Sequence, residues 1–143
     1  MAESSCDDLS LRRVWISIGS NAPDADSRIR AAVAELENLL SRIEVSDTYV
    51  TPAIGKPAPD YTNCVATGIT CMPADDLIPL LKEIERHGGR GTASMDSVDP
   101  SLSPKIVEID LDLVVYGETV LRSSDFSRSY FILGYNRLRH LTD

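Results

Sequence analysis

Three carboxylates alternate with apolar residues in one short segment of the chain. Glu108, Asp110 and Asp112 are separated by Ile109 and Leu111. In a β-strand the three acids would lie on one face, with neighbouring Cα atoms about 6.6–6.8 Å apart. Carboxylates at that spacing can hold Mg²⁺, which takes one or two of them together with phosphate oxygens and water. The segment is therefore interpreted either as a magnesium site or as a solvated polar face, although acids are depleted in strands.

An aromatic ring and an amide lie two residues apart, directly after a proline-rich loop. Tyr61 and Asn63 follow residues 52–59, which contain three prolines and one glycine. In a strand the two side chains would point to the same side. A ring that stacks and an amide that both donates and accepts hydrogen bonds suit a flat heterocycle. An edge tyrosine beside a turn-favouring asparagine would give the same pattern without a ligand.

The elements that must position these residues follow from the spacing of the apolar side chains. Strands are predicted at residues 14–18, 44–51, 61–71 and 106–116, with a short further strand near 119–122. Helical spacing runs from Asp24 to Ile43 and again from about Asp76, with Pro79 either in the first turn or at a kink. This order predicts an α+β ferredoxin-like sandwich, an antiparallel sheet with helices on one face. The other face of such a sheet can stay open for a ligand.

Other segments lack a clear pattern. Residues 1–12 are expected to form a flexible tail, and residues 13–143 a single domain. The glycine- and serine-rich stretch 88–104 is expected to be either a functional lid or a disordered insert. Helical spacing in residues 125–143 is weak.

Charge and cysteine content limit the partners and the compartment. Fourteen bases against 22 acids give a net charge of −8, which argues against nucleic-acid partners and against an anionic membrane surface. No apolar run is long enough to span a bilayer. Cys64 and Cys71 would stand about 23 Å apart on one strand, too far to bridge. With Cys6 they are expected to be thiols in a reducing compartment, so a cytoplasmic location is expected.

Several segments, taken together in their order and spacing across about residues 14 to 133, resemble one family. They are Ile18–Asn21, Tyr49–Gly55, Asp60–Val65, Ile84–Arg86 with Gly89–Arg90, and Glu108–Gly117. The chain resembles 6-hydroxymethyl-7,8-dihydropterin pyrophosphokinase, the folate-pathway enzyme that moves a pyrophosphoryl group from ATP to a pterin alcohol and releases AMP. The resemblance implies ATP and the pterin alcohol as substrates and Mg²⁺ as the cofactor.

The resemblance also implies roles for individual residues. Asp110 and Asp112 would hold magnesium ions against the ATP phosphates, with Arg90 and Arg128 as further catalytic residues. Asn63 would hydrogen-bond the pterin, which would stack between Tyr61 and either Tyr130 or Phe131. The other positions implied are Thr51, Pro52 and Ile54 at the pterin, and Glu85, Arg90, Lys105, Arg122 and Arg128 at the nucleotide.

Two segments depart from the family pattern. Ahead of the aspartate pair, Ser103–Val107 replaces an Arg-Trp-Gly-Pro-Arg-like stretch and leaves Lys105 as the nearby cation; Leu121–Ser124 replaces a Val-Pro-His-Pro-like segment. Phosphoryl-type transfer depends on positioning and charge neutralisation, so lost arginines predict reduced or altered activity. The alternatives are a non-catalytic pterin- or nucleotide-binding or regulatory domain, and a ferredoxin-like interaction module.

Overall fold

The elements follow the predicted order along the chain, except that the strand predicted at 44–51 is divided in two. The computed structural model describes residues 11–52, 58–88 and 106–142, without the side chains of 140–142. Its elements are β1 (Arg12–Ser20), α1 (Ala25–Leu36), β2 (Ser41–Val45), β3 (Tyr49–Thr51), β4 (Tyr61–Thr70), α2 (Ala74–His87), β5 (Asp110–Tyr116), β6 (Thr119–Val120), α3 (Ser123–Phe126) and α4 (Ser129–Thr142).

All the described strands belong to one antiparallel sheet. The strand order is β2-β4-β1-β5-β6, and β3 also pairs with β4. The central strand β1 pairs with β4 along its whole length, from Arg12 opposite Thr70 to Ser20 opposite Thr62. The predicted α+β class with an antiparallel sheet is confirmed.

Helices α1 and α2 cover one face of the sheet, as predicted. Alternate residues of β1 enter the core on that side; Val14, Ile16 and Ile18 are fully buried there. Trp15 points to the opposite face, where α4 covers it with an aromatic cluster that includes Phe131. The weak helical spacing of the tail did not predict this second packed face, because α4 buries its apolar residues only against the folded sheet. Beside the start of α4, Ser17, Gly19, Asp110 and Asp112 of the same face line a cavity.

Several element boundaries differ from the prediction. Helix α1 ends at Leu36 although apolar spacing continues, because Leu40 reaches the core from the following turn and Ile43 already lies in β2. The single strand predicted at 44–51 is two strands, β2 and β3. Between them Ser46 exchanges hydrogen bonds with Val65: its hydroxyl accepts from the Val65 N–H at 2.9 Å, and its own N–H donates to the Val65 oxygen at 2.9 Å. Strand β5 starts at Asp110 rather than residue 106.

Pro79 lies inside helix α2 rather than in its first turn. The helix begins at Ala74, two residues before the predicted start, and continues through Pro79 to His87. None of the helices in the described ranges is long and apolar enough to cross a membrane. Most of residues 1–12 and of 88–104, for which a tail and a lid or insert were predicted, lie outside the described residues.

The cysteines differ from one another. Cys71 is disulfide-bonded, so the expectation that all three are thiols is wrong. Cys64 is a free, fully buried thiol in the α1–α2 core, and burial raises its pKa to about 12.

Because the thiolate is the reactive form, we expect Cys64 to resist iodoacetamide at pH 8 and to react once the chain is unfolded in guanidinium, as peptide mass spectrometry would show. Rapid alkylation of the folded protein would contradict this placement.

Candidate active site

The candidate site lies at one end of the open face of the sheet, on three neighbouring strands. Gly19 of β1 pairs with Asn63 of β4 on one side and with Asp110 of β5 on the other, and Ser17 pairs with Asp112. The absence of a side chain at Gly19 leaves a floor between the amide and the carboxylate. A Cβ at Gly19 would lie 3.0 Å from Asn63 Oδ1.

A cavity of about 320 Å³ stands on this floor. The far wall comes from α3 and the start of α4, and the near wall from β3 and the residue after it. Nine predicted site residues line the cavity: Thr51, Pro52, Tyr61, Asn63, Asp110, Asp112, Arg122, Arg128 and Tyr130. Four further residues line it without having been predicted: Ser17, Gly19, Ser124 and Asp125.

Asn63 is buried, and its amide is held in one orientation. Its Nδ2 donates to Thr51 Oγ1 at 2.8 Å and to the main-chain oxygens of Tyr61 and Tyr49 at 3.3 and 3.4 Å. The two main-chain oxygens can only accept, so they exclude the flipped amide, which would face them with an oxygen. The Oδ1 atom is therefore directed over Gly19 as a fixed acceptor.

Asp110 and Asp112 lie side by side in the cavity, where the ionised form of Asp112 is disfavoured. Burial is the main cause that raises the pKa of Asp112 to about 7, and the neighbouring Asp110 is the second. Two cations stand near Asp112 Oδ1 without reaching hydrogen-bond distance: Lys82 Nζ at 3.8 Å and Arg122 Nη1 at 3.9 Å. In the described residues no group of three or more His, Cys, Asp or Glu is arranged around a metal position. A pair of half-buried carboxylates nevertheless fits Mg²⁺, which completes its shell with water and phosphate oxygens.

The backbone that carries the aspartates is held from both sides. On one side Asn21 Oδ1 accepts from the Val107 N–H at 2.6 Å, and Ser20 Oγ donates to the Val107 oxygen at 3.3 Å. On the other side Glu85 Oε2 accepts from the Leu111 N–H at 2.8 Å. Burial raises the pKa of Glu85, which is only 2% exposed. Glu85, predicted near the nucleotide, is thus placed beneath the aspartates and not on the cavity wall.

Asp125 is a site residue that the sequence analysis missed. It is almost buried, and its carboxylate accepts hydrogen bonds from Arg122 Nε and from the Tyr130 hydroxyl. The bond to Asp125 raises the pKa of Arg122; burial first, and then the same carboxylate, raise the pKa of Tyr130. The only signal in the sequence is the i, i+3 spacing of Arg122 and Asp125, which many surface pairs share.

Several predicted residues are not brought to this cavity. Phe131 has no exposed surface and packs against Phe126 and Tyr135, with ring centroids 5.5 and 5.6 Å away. The structure therefore favours Tyr130 over Phe131 as the second ring at the site. Glu108, half-buried in a bend before β5, does not line the cavity with the two aspartates. Ile54, Arg90 and Lys105 lie outside the described residues.

A second groove of about 280 Å³ adjoins the first and shares two of its residues. Asp112 and Arg122 line both. The walls of the groove are largely apolar and come from α2, β5 and the turn after β6; they include Ile78, Leu113 and Leu121, with Lys82 at the edge. The carboxylate pair thus stands between a polar cavity and an apolar groove.

The sequence matches one known protein family. The sequence model of the family 7,8-dihydro-6-hydroxymethylpterin-pyrophosphokinase (HPPK) matches residues 15–139. The chain belongs to the HPPK family. The resemblance seen in the sequence segments is thereby confirmed. The match includes the strand residues that line the site and most of helix α4.

Curated relatives within the HPPK family carry the name 2-amino-4-hydroxy-6-hydroxymethyldihydropteridine pyrophosphokinase. The protein of Pseudomonas aeruginosa is 31% identical over 115 residues, covering 78% of this chain and 65% of the relative. That of Aquifex aeolicus is 28% identical over 111 residues, covering 77% and 64%. That of Synechocystis is 32% identical over 113 residues, covering 76% and 53%. The chain spans less than two thirds of the length of these relatives.

Proposed function

We propose that this chain transfers a pyrophosphoryl group from ATP to 6-hydroxymethyl-7,8-dihydropterin and releases AMP. The observation that carries the proposal is the meeting of two chemistries in one cavity. Asp110 and Asp112 stand beside Tyr61, Asn63 and Tyr130, so a place for a metal–phosphate complex adjoins a place for a flat heterocycle. Membership of the HPPK family, and the names that the relatives carry, support this substrate pair.

The heterocycle is assigned to the part of the cavity above Gly19. There the Oδ1 of Asn63 offers a fixed acceptor to a ring N–H, and Tyr61 and Tyr130 offer aromatic surfaces. Thr51 and Pro52 border the same region from β3. The amide is already oriented by its three acceptors, so little rotamer freedom is lost when the ligand binds.

The phosphates are assigned to the aspartate pair. Asp110 and Asp112 would hold Mg²⁺, which would neutralise the phosphate charge and align the β-phosphorus with the attacking alcohol oxygen. Arg122 and Arg128 line the same cavity and can neutralise further charge. The apolar groove shared through Asp112 and Arg122 is suited to the purine of ATP.

One assay tests the proposal. The protein is incubated with MgCl₂, ATP and 6-hydroxymethyl-7,8-dihydropterin, and AMP is quantified by ion-exchange chromatography, with pterin-free and EDTA-treated controls. We expect AMP only when both magnesium and the pterin are present. Pterin binding by calorimetry without AMP formation would contradict the enzymatic proposal and support a binding domain.

The pairing of the cations favours a non-catalytic binding or regulatory domain as the second candidate. Arg122 is bonded to Asp125, and Lys82 approaches Glu85 Oε2 at 3.3 Å and Asp112 Oδ1 at 3.8 Å. Part of their charge is thus neutralised before any phosphate arrives. Such a domain would bind the pterin or the nucleotide without turnover, and the AMP assay separates the two candidates.

Substitution of Gly19 should weaken pterin binding more than nucleotide binding. The added Cβ of Gly19→Ala would lie 3.0 Å from Asn63 Oδ1 and 3.6 Å from Tyr61 Cδ2, so the amide must move from the orientation that we assign to the ligand. We expect about tenfold weaker pterin binding by calorimetry, roughly the cost of one misplaced hydrogen bond. The exposed Val50→Ala variant on β3 is the control. Unchanged pterin affinity in Gly19→Ala would contradict the assignment of the pterin to the region above Gly19.

A further inference from the structure

Asp125 connects two parts of the site through its side chain. Its two oxygens are used separately: Oδ2 accepts from Arg122 Nε, and Oδ1 accepts from the Tyr130 hydroxyl. Arg122 extends from there toward Asp112, with Nη1 3.9 Å from Oδ1. Tyr130 belongs to the part of the cavity assigned to the heterocycle. One carboxylate therefore holds a cation beside the aspartate pair and a ring beside the heterocycle.

The main chain that carries the Asp125 carboxylate is held in place by hydrogen bonds and by the packing of the next residue. Asp125 lies in the short helix α3. Its main-chain N–H donates to the main-chain oxygen of Arg122 at 3.1 Å, and its main-chain oxygen accepts from the Arg128 N–H at 3.0 Å. The next residue, Phe126, is inserted into the aromatic cluster under α4; its ring centroid lies 5.5 Å from that of Phe131 and 5.0 Å from that of Tyr135. The side chain of Asp125 is only 11% exposed, so water has little access to its carboxylate.

Tyr130 is held at its other end as well. Its main-chain oxygen accepts a hydrogen bond from the Tyr49 hydroxyl at 2.8 Å. The backbone of Tyr130 is thus tied to β3 and its hydroxyl to α3, which leaves its ring few alternative positions. Rings held in this way bind flat ligands at a lower entropic cost.

We propose that Asp125 is a positioning residue that fixes Arg122 for the nucleotide and Tyr130 for the pterin, each through one carboxylate oxygen. The inference rests on the proposed function, because it assigns the two arms to the two substrates. It does not require Asp125 to touch either substrate.

The two arms can be separated by substitution. In Asp125→Asn the amide oxygen can still accept from the Tyr130 hydroxyl, but the amide nitrogen cannot accept from Arg122 Nε. Tyr130→Phe removes only the other arm, and Asp125→Ala removes both. The exposed Asp47→Asn on the β2–β3 connection makes the same change in charge away from the site and serves as the control.

Calorimetry on the full chain supplies two dissociation constants for each variant, one for Mg²⁺ with α,β-methylene-ATP and one for 6-hydroxymethylpterin. For Asp125→Asn we expect about tenfold weaker nucleotide binding, the order expected for a charged hydrogen bond, with pterin binding within twofold of wild type. For Tyr130→Phe we expect the reverse selectivity. Asp125→Ala should weaken both ligands, and Asp47→Asn neither.

Other outcomes overturn the proposal and are distinguishable from failure of the proposed function. Folded Asp125→Asn and Asp125→Ala proteins that bind both ligands like wild type would exclude a positioning role. Equal weakening of both ligands in Asp125→Asn, with a lowered melting temperature, would assign Asp125 to stability alone. If wild-type protein binds neither ligand, the proposed function itself fails, and the assignment of the arms fails with it.

Discussion

The Asp112→Asn variant should lose its magnesium-dependent affinity for ATP and, without ligand, melt at a higher temperature than wild type above pH 7. The affinity is lost because the variant replaces one of the two carboxylates by an amide, which is a poor ligand for Mg²⁺. We expect at least a hundredfold weaker Mg²⁺-dependent nucleotide binding and a corresponding loss of any AMP formation.

The gain in stability follows from the raised pKa of Asp112. In the folded protein the pKa is about 7, against an ordinary value of 3.8. Between these values the unfolded chain gives up a proton that the folded chain retains, so this group lowers the free energy of unfolding as the pH rises from about 4 to 7. The asparagine does not titrate. We therefore expect the variant to be more stable by about 1–2 kcal/mol above pH 7, after the lost attraction to Lys82 and Arg122 is included.

Calorimetric melting of both proteins at pH 4 and pH 8, with and without MgCl₂, measures both effects. The melting temperatures should converge at pH 4 and separate at pH 8, and magnesium should raise only that of wild type. Glu108→Gln is the matched control, since it removes an acid of the same sequence row that does not line the cavity. A magnesium response that survives in Asp112→Asn, or disappears in Glu108→Gln, would contradict the assignment of the metal.

Gly134→Ala should destabilise the fold strongly, although the same change in an exposed helix stabilises it. A Cβ at Gly134 would lie 2.6 Å from Val65 Cγ2 and 2.8 Å from the Tyr49 hydroxyl oxygen, so α4 would have to lift from the sheet. The cost of such overpacking, about 3 kcal/mol, exceeds the gain in helix propensity of about 1 kcal/mol. We expect the melting temperature to fall by roughly 5–10 °C.

The substitution should also disturb the site, because α4 carries Tyr130. Chemical denaturation gives the change in the free energy of unfolding. Pterin affinity shows whether Tyr130 keeps its position in the cavity wall. Asn136→Ala, at an exposed position of the same helix, is the control and should leave both quantities near wild type. Equal stability of the two variants would mean that α4 does not pack this closely on β4.

The part of the site on the strands was predictable, because strand geometry is local. Alternation alone placed Asp110 with Asp112, and Tyr61 with Asn63, on common faces. The antiparallel order of the strands then brought the two pairs to neighbouring strands. Gly19, which separates them, belonged to a segment that resembles the family, but its place beneath the cavity could not be predicted because it depends on its partners across the sheet.

The rest depended on tertiary packing. Tyr130 and Phe131 are adjacent on a helix, so spacing could not show that one would face the cavity and the other the core. Glu85 ends beneath β5 because its carboxylate accepts from the Leu111 N–H on the edge of β5 that β6 does not reach, and no pattern within α2 reveals this. Asp125 went unnoticed for a similar reason: its partner Tyr130 lies in the next helix.

The Tyr49 hydroxyl binds α4 at the two peptide groups that the helix would itself pair. It donates to the Tyr130 oxygen and accepts from the Gly134 N–H at 3.1 Å, and these groups are four residues apart, as in an α-helical hydrogen bond. Without this contact the helix can pair the two groups itself, and the half-buried Tyr49 hydroxyl is the group that loses its partners. Loss of this contact would therefore weaken the docking of β3 on α4 without breaking the helix itself.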